Sequence, residues 1–85
     1  MYYVYILQSS RDGSLYVGYS HDLQRRFREH NTGLSSSTKS KRPWKLVYYE
    51  AYRSRSDAKW REHNLKRFAK GYAQLKKRIQ NCLST

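Results

Sequence analysis

Cysteine is almost missing from this chain. Cys82 stands alone, so no disulfide can form within the molecule, and the expected compartment is a reducing one, the cytoplasm. Cys82 falls near the end of the last helix expected below, and reads there as a buried or inert thiol rather than a nucleophile. Long apolar runs are missing too: no stretch approaches the roughly 20 residues of a membrane span. The start, Met1-Tyr2-Tyr3-Val4, has no basic segment ahead of an apolar one, so it is expected to be a strand and not a signal peptide. Zinc-finger spacing, a P-loop and a Gly-rich dinucleotide turn are likewise not found. Acidic residues are scarce, 6 against 18 Lys and Arg, for a formal net charge of +12. Solubility alone needs far less. A balance this basic favours a polyanionic partner, and nucleic acid fits better than an anionic membrane surface.

With 85 residues, one domain over 1–85 is expected. A domain of this size buries roughly 60–65% of its unfolded surface, enough for one modest core. Nine tyrosines supply much of the apolar content, and each hydroxyl needs a partner once buried. Tyr2 to Gln8 and Leu15 to Tyr19 are rich in aromatic and β-branched residues. With Arg11-Asp12-Gly13-Ser14 between them they spell a β-hairpin. Asp22 to Asn31 is expected as a helix, with Ser20 as N-cap and Gly33 as stop. Thr32 to Pro43 is a long polar loop, a hint of function or mobility. Lys45 to Tyr52 is a third strand. Ser54 or Ser56 caps a second helix over Asp57 to Ala69, Gly71 breaks it, and Tyr72 to Leu83 forms a third, basic helix. The order β-β-α-β-α-α describes an α+β domain with a small, largely antiparallel sheet.

The faces of these elements bring chemistry-bearing residues together. A hairpin loop of two or four residues puts Tyr5, Leu7, Tyr16 and Gly18 on one side of the sheet, and three residues would separate the tyrosines. Gly18 leaves space for a backbone or ligand to come close, although the strands by themselves favour plain aromatic packing for Tyr5 and Tyr16. Around the first helix, with Leu23 at about 0°, Arg26 falls near 300°, Phe27 near 40° and His30 near 340°. Arg26 is thus the one arginine of three on the apolar side. It suits either a phosphate, gripped by its guanidinium fork, or a structural ion pair at the core edge beside a hydrogen-bonded histidine. On the second helix, with Ala58 at about 0°, Glu62 lies near 40° on the apolar stripe. It suits a pair with Arg26 or a hard cation such as Mg²⁺, which takes one or two carboxylates plus water and phosphate oxygens. Trp60 shares the other side with His63 and Arg67. It can stack on a base or pack under the third helix, and packing is the favoured expectation. Two tyrosines, an arginine, a histidine and a glutamate in a basic protein suit phosphodiester hydrolysis.

Tyr3-Val4-Tyr5 and Tyr16-Val17-Gly18 resemble the two halves of the GIY-YIG nuclease signature, with the hairpin turn between them. Asp22 to His30 resembles that family's following helix, Pro43 to Glu50 its third strand, and Ala58 to Lys66 its glutamate helix. The similarity runs over residues 2 to about 70. It is greatest to single-domain members related to the nuclease domains of excinucleases and of structure-specific resolvases. Tyr3 departs from the glycine of the family name, and Tyr19 stands where excinuclease-type members often carry a basic residue.

The resemblance implies a GIY-YIG fold and an endonuclease that hydrolyses DNA with Mg²⁺ or Mn²⁺. It assigns Tyr5 as general base or phenolate relay, His30 as its helper, Tyr16 as donor to the phosphate or the attacking water, Arg26 as the transition-state cation, and Glu62 as the metal ligand. DNA repair or recombination is the implied setting, with selectivity for single-stranded or branched DNA, or supplied by a partner protein or homodimer. The competing expectation is an inactive nucleic-acid-binding module. The basic residues Lys70, Lys76, Lys77 and Arg78 of the third helix are expected to face DNA or solvent.

Overall fold

Strand β1 (Tyr2–Ser9) is the middle of the sheet because its composition allows nothing else: six consecutive residues from Val4 onward are buried on both faces. In the computed structural model, which describes residues 1–83, it pairs antiparallel with β2 (Leu15–Ser20) on one side and β3 (Trp44–Tyr52) on the other. The turn after β1 closes with Ser9 N–H donating to Ser14 O at 2.8 Å and Gly13 N–H donating to Ser9 O at 2.9 Å. Gly13 sits at φ +77°, a conformation that suits glycine. The Asp12 carboxylate accepts from the Ser14 amide and hydroxyl, which hold its pKa down at about 2. Four residues thus lie between the paired Ser9 and Ser14. That even number sets Tyr5 opposite Gly18 and Leu7 opposite Tyr16, all on one face. On the far side a bulge between Ile6 and Leu7 shifts the β3 register, so Ile6 faces Tyr48 and Leu7 faces Leu46.

The two faces of the sheet bury different things. Val4, Ile6 and Val17 pack against Ala58 and Leu65 of α2 (Arg55–Arg67) and against Leu75 of α3 (Ala69–Arg78), with Ile79 just beyond it. Tyr5, Leu7 and Trp44 form a smaller cluster on the opposite face, closed by Tyr16 and by Leu23 and Phe27 of α1 (Leu23–Thr32).

Several boundaries differ from those expected. Asp22, not Ser20, caps α1, by accepting from Arg25 N–H at 3.1 Å. Ser20 is spent on the preceding turn, where its hydroxyl accepts from Asp22 N–H and donates to Asp22 O. Ser54 caps α2, which therefore starts two residues earlier than Asp57. The break between α2 and α3 falls at Phe68, in extended conformation at φ −111° and ψ 105°, and Gly71 lies inside α3. Length explains the break: a straight helix from Arg55 to Arg78 would run about 36 Å at 1.5 Å per residue. The molecule's longest extent is 30 Å, and only a bend keeps Leu75 and Ile79 over the sheet. Gly71 does not adopt positive φ, so the helix bears only its modest propensity cost. Cys82 ends a short 3₁₀ turn, Gln80–Cys82, and is exposed rather than buried.

The long polar segment after α1 is tied down, contrary to the hint of mobility. It contains a 3₁₀ turn at Lys39–Lys41, and Ser9 Oγ donates to Lys41 O at 2.7 Å while Ser10 N–H donates to Pro43 O at 2.8 Å. Among the described residues no helix is long and apolar enough to cross a membrane.

Candidate active site

The site begins at the position without a side chain. A Cβ on Gly18 would lie within 3.0 Å of the Cζ, Oη and Cε2 atoms of Tyr5, so the space expected beside Gly18 is filled by the Tyr5 ring. Turned that way, Tyr5 puts its hydroxyl 2.8 Å from His30 Nε2. His30 comes from the last turn of α1 and has no exposed surface, and Tyr5 is 1% exposed. The other ring nitrogen, Nδ1, is 2.8 Å from Thr38 Oγ1, whose hydroxyl donates to Ser35 O. With the Thr38 proton directed at that carbonyl, the network assigns the imidazole proton to Nδ1. Nε2 is then the acceptor for the Tyr5 hydroxyl. Thr38 is held in turn by Trp44, whose indole N–H donates to Thr38 O at 2.9 Å. Asn31 fixes Trp44 through two bonds, accepting from its amide and donating to its carbonyl.

The electrostatics keep this pair neutral. Burial, reinforced by the nearby Arg26 cation, lowers the His30 pKa from 6.5 to about 4. Burial and then the neighbouring Tyr16 push the Tyr5 hydroxyl well above the ordinary phenol range, and Arg26 pulls it partly back. Tyr5 in the free protein is a phenol that donates to a neutral imidazole.

Around the pair stand the other residues singled out in the sequence. Tyr16, half-buried, places its ring centroid 5.0 Å from that of His30 and 6.2 Å from that of Trp44. Arg26 interacts with the Tyr5 hydroxyl and also donates from Nη1 to Glu29 Oε1 at 2.9 Å. Glu62, reaching in from α2, has its Oε2 3.1 Å from Lys66 Nζ, and its charge is felt at Tyr5. Lys66 Nζ also lies 5.7 Å from the Tyr16 ring centroid. Two strands and two helices therefore bring Tyr5, Tyr16, Arg26, His30 and Glu62 to one place. Of the two alternatives for Glu62, the pair with Arg26 is not formed: Arg26 pairs with Glu29 and Glu62 with Lys66, each on its own helix. The structural possibilities raised for this helix, an ion pair for Arg26 and a hydrogen-bonded histidine, are both realised.

A family model described as the GIY-YIG catalytic domain matches residues 1–80 of this chain. The chain belongs to the GIY-YIG family. Among curated proteins it is 44% identical to a UPF0213 protein of Haloquadratum walsbyi over 70 residues, which are 81% of this chain and 78% of that one. It is 41% identical to a UPF0213 protein of Staphylococcus saprophyticus, over 81% and 84% of the two chains. Among solved structures it is similar to the solution NMR structure of a UPF0213 protein from Bacillus halodurans. That match has a TM-score of 0.56 and 36% identity, and covers 88% of this chain and 82% of that one. The three-stranded antiparallel sheet with helices in the order β-β-α-β-α-α is thus the GIY-YIG fold.

GIY-YIG nucleases are generally dependent on a divalent metal, and the residues present fit one mode of holding it. Among the described residues no group of three or more His, Cys, Asp and Glu is placed to hold an ion by protein donors alone. That does not suit a closed zinc centre. Glu62 is a single half-buried carboxylate beside the Tyr5 pair, and one carboxylate suits a hard cation completed by water and phosphate oxygens. Mg²⁺ or Mn²⁺ fits that donor set.

Some structural partners escaped the sequence reading. Thr38 and Ser35, which orient His30, lie in a segment without periodicity and carry no signal. A second cluster was legible: Tyr48, Glu50 and Tyr52 alternate along β3 and so share a face. Both tyrosine hydroxyls donate to Glu50, and Arg61 donates to it twice, from Nε and Nη2, each at 2.9 Å. These bonds hold the Glu50 carboxyl below its ordinary pKa although burial opposes them. The cluster ties β3 to α2 one residue from Glu62.

Proposed function

We propose that this GIY-YIG domain, taken as one unit over residues 1–85, is a metal-dependent endonuclease that hydrolyses DNA phosphodiester bonds in repair or recombination, in the cytoplasm. The observation that carries the reading is the buried Tyr5–His30 hydrogen bond, set beside a cation, Arg26, and a carboxylate, Glu62. A protein that only binds nucleic acid gains nothing from an inward carboxylate, which repels phosphate.

In this reading the scissile phosphate displaces Glu29 from Arg26, and the guanidinium takes two phosphate oxygens in place of one carboxylate. Its charge then opposes the negative charge that grows on the phosphate in the transition state. Tyr5 receives a proton from the attacking water and passes its own to His30 Nε2, which the Thr38 bond keeps free to accept. The deep burial of Tyr5 favours its role as a relay. Tyr16, less buried and on the same face, donates to the phosphate or orients the water. Glu62 would hold a divalent cation, which would supply positive charge for the leaving oxygen. Selectivity in this reading comes from DNA shape, a partner protein or a homodimer.

Nicking of labelled single-stranded, duplex and branched DNA in Mg²⁺ or Mn²⁺ tests this. Cleavage is expected, abolished by EDTA and reduced by roughly 10²–10³ in Arg26→Ala, the range for loss of one transition-state donor. Salt-sensitive binding with no cleavage of any substrate in either metal would leave a nucleic-acid-binding module instead.

A further inference from the structure

The helix that carries Glu62 inward carries a bare indole outward. Trp60 is 64% exposed, whereas the other tryptophan, Trp44, is buried. The expected packing of Trp60 under α3 does not occur, because Trp60 lies nearly opposite the stripe of Ala58 and Leu65 that meets the sheet. Its ring lies roughly parallel to that of His63, with centroids 6.2 Å apart and planes at 21°, and faces solvent.

Between the indole and the site the helix carries basic residues, while Asp57, one turn before Trp60, is an exposed carboxylate on the far side of the indole. With Ala58 at about 0°, Glu62 is near 40°, Lys66 near 80°, Lys59 near 100°, His63 near 140°, Arg67 near 180°, Trp60 near 200° and Asp57 near 260°. Basic side chains therefore span much of the roughly 160° between Glu62 and the indole, and Lys59, Lys66 and Arg67 are all exposed. Lys59 leans over the ring of Tyr19 on edge strand β2, with Nζ 5.3 Å from its centroid. No aliphatic side chain flanks Trp60 on this outer face, as a protein-docking patch would require. A solvent-facing aromatic ring with cations on the side toward the site is instead the make-up of a single-strand binding surface, where bases stack and phosphates meet Lys and Arg.

We infer that the outer face of α2 binds an unpaired segment of the DNA substrate, with a base stacked on Trp60 and the backbone on Lys59 and Arg67. Trp60 lies across one helix diameter from Glu62, about 10–12 Å, so the unpaired segment sits close to the bond to be cut. Paired bases are stacked in the duplex and offer no free face to the indole, so this surface selects single-stranded or branched DNA. The inference rests on the nuclease reading for the position of the cut but not for the binding itself.

Binding is measured in EDTA, where no cleavage occurs, with a thymidine oligonucleotide and a blunt duplex as probes. Stacking is expected to quench tryptophan fluorescence on addition of the oligonucleotide, since Trp60 is the exposed indole. Trp60→Ala is expected to weaken oligonucleotide binding roughly 5- to 150-fold with duplex binding within about twofold, and Trp60→Phe to keep most of the affinity. Circular dichroism checks that the exposed substitution leaves the fold intact. Unchanged oligonucleotide affinity in Trp60→Ala, or equal losses for duplex and oligonucleotide, overturns the inference. Because the assay contains no metal, its result stands apart from whether the protein cuts DNA.

Discussion

Gly18→Ala is a one-methyl change that tests the centre of the site. The added Cβ would fall within 3.0 Å of three Tyr5 atoms, among them Cε2 at 2.7 Å. A contact that close is relieved only if something moves. The Tyr5 ring has little freedom: it is 1% exposed and its hydroxyl is bonded to His30. Gly18 lies on β2, paired opposite Tyr5 itself, so the backbones cannot separate without loss of sheet hydrogen bonds. Overpacking of this kind costs about 1–3 kcal/mol. If the ring swings away, its hydroxyl and His30 Nε2 lose each other inside the protein, for about 1–3 kcal/mol more. The expected total is about 2–6 kcal/mol, a large part of the stability of so small a domain.

Urea denaturation of four proteins measures it: wild type, Gly18→Ala, Tyr5→Leu and the double variant. Leucine removes the ring atoms that collide, so Gly18→Ala is expected to cost less than about 1 kcal/mol in that background. The difference between the two costs is the coupling energy of a double-mutant cycle. A Gly18→Ala protein within about 0.5 kcal/mol of wild type, or an equal cost in both backgrounds, would falsify the claim that Gly18 exists to seat Tyr5.

Three further outcomes follow from the same geometry. His30 is held neutral, with a folded pKa of about 4 against an ordinary 6.5. The unfolded chain therefore takes a proton at this position before the folded one, and stability is lost as pH falls from about 6.5 to about 4. At about 1.4 kcal/mol per pH unit the loss is ~3 kcal/mol, checked by denaturation across that range and by an NMR titration of the His30 ring; a midpoint near 6.5 for that ring would contradict the burial argument. Arg61→Ala leaves Glu50 with only its two tyrosine donors and is expected to cost about 2–3 kcal/mol in thermal or urea unfolding, with Arg61→Lys restoring only part because the two-point fork is lost. Glu62→Gln keeps the shape and removes the charge: cleavage in Mg²⁺ is expected to fall at least ~100-fold while DNA binding in EDTA holds or tightens, and equal cleavage by the two proteins would exclude a metal role for this carboxylate.

What was readable from the residues depended on how far each signal reached along the chain. Local patterns carried the fold: hairpin composition and the apolar stripes of α1 and α2, while the turn length that puts Tyr5 and Tyr16 on one face stayed open and is fixed by the observed register. The helix faces also placed Arg26, His30 and Glu62 inward, and the structure groups them. Failures arose where the choice depended on distant geometry. Gly71 is a plausible break by propensity, but the break at Phe68 answers to the size of the sheet, which no local pattern records. Ser20 and Asp22 are both good caps, and only the turn out of β2 decides between them. Trp60 looked like core because indoles usually are, yet its angular position nearly opposite Ala58 already pointed outward. Thr38 was beyond reach, since nothing ties a loop threonine to a histidine eight residues earlier except the folded segment between them.

The neutral Tyr5–His30 pair bears on how the site is switched on. A phenol pushed above its ordinary pKa and an imidazole held near 4 are together a poor proton-transfer pair, although the hydrogen bond between them points the right way. Burial is the first cause of both shifts, and a bound substrate does not reverse it. What can change is charge. Arg26 already pulls the Tyr5 hydroxyl down, but it is shared with Glu29, and Glu62 pushes the other way. Neutralising Glu62 and freeing Arg26 from Glu29 would both favour the phenolate. In the proposed mechanism a divalent cation on Glu62 would supply the first of these changes, whereas a phosphate on Arg26 replaces one anion with another, so the cation rather than the phosphate would favour loss of the phenol proton. It follows that Glu29→Gln, which frees Arg26 without substrate, should lower the Tyr5 pKa, observable as phenolate absorbance at lower pH than in wild type. An unchanged tyrosine titration in Glu29→Gln would place the control of that proton somewhere other than Arg26.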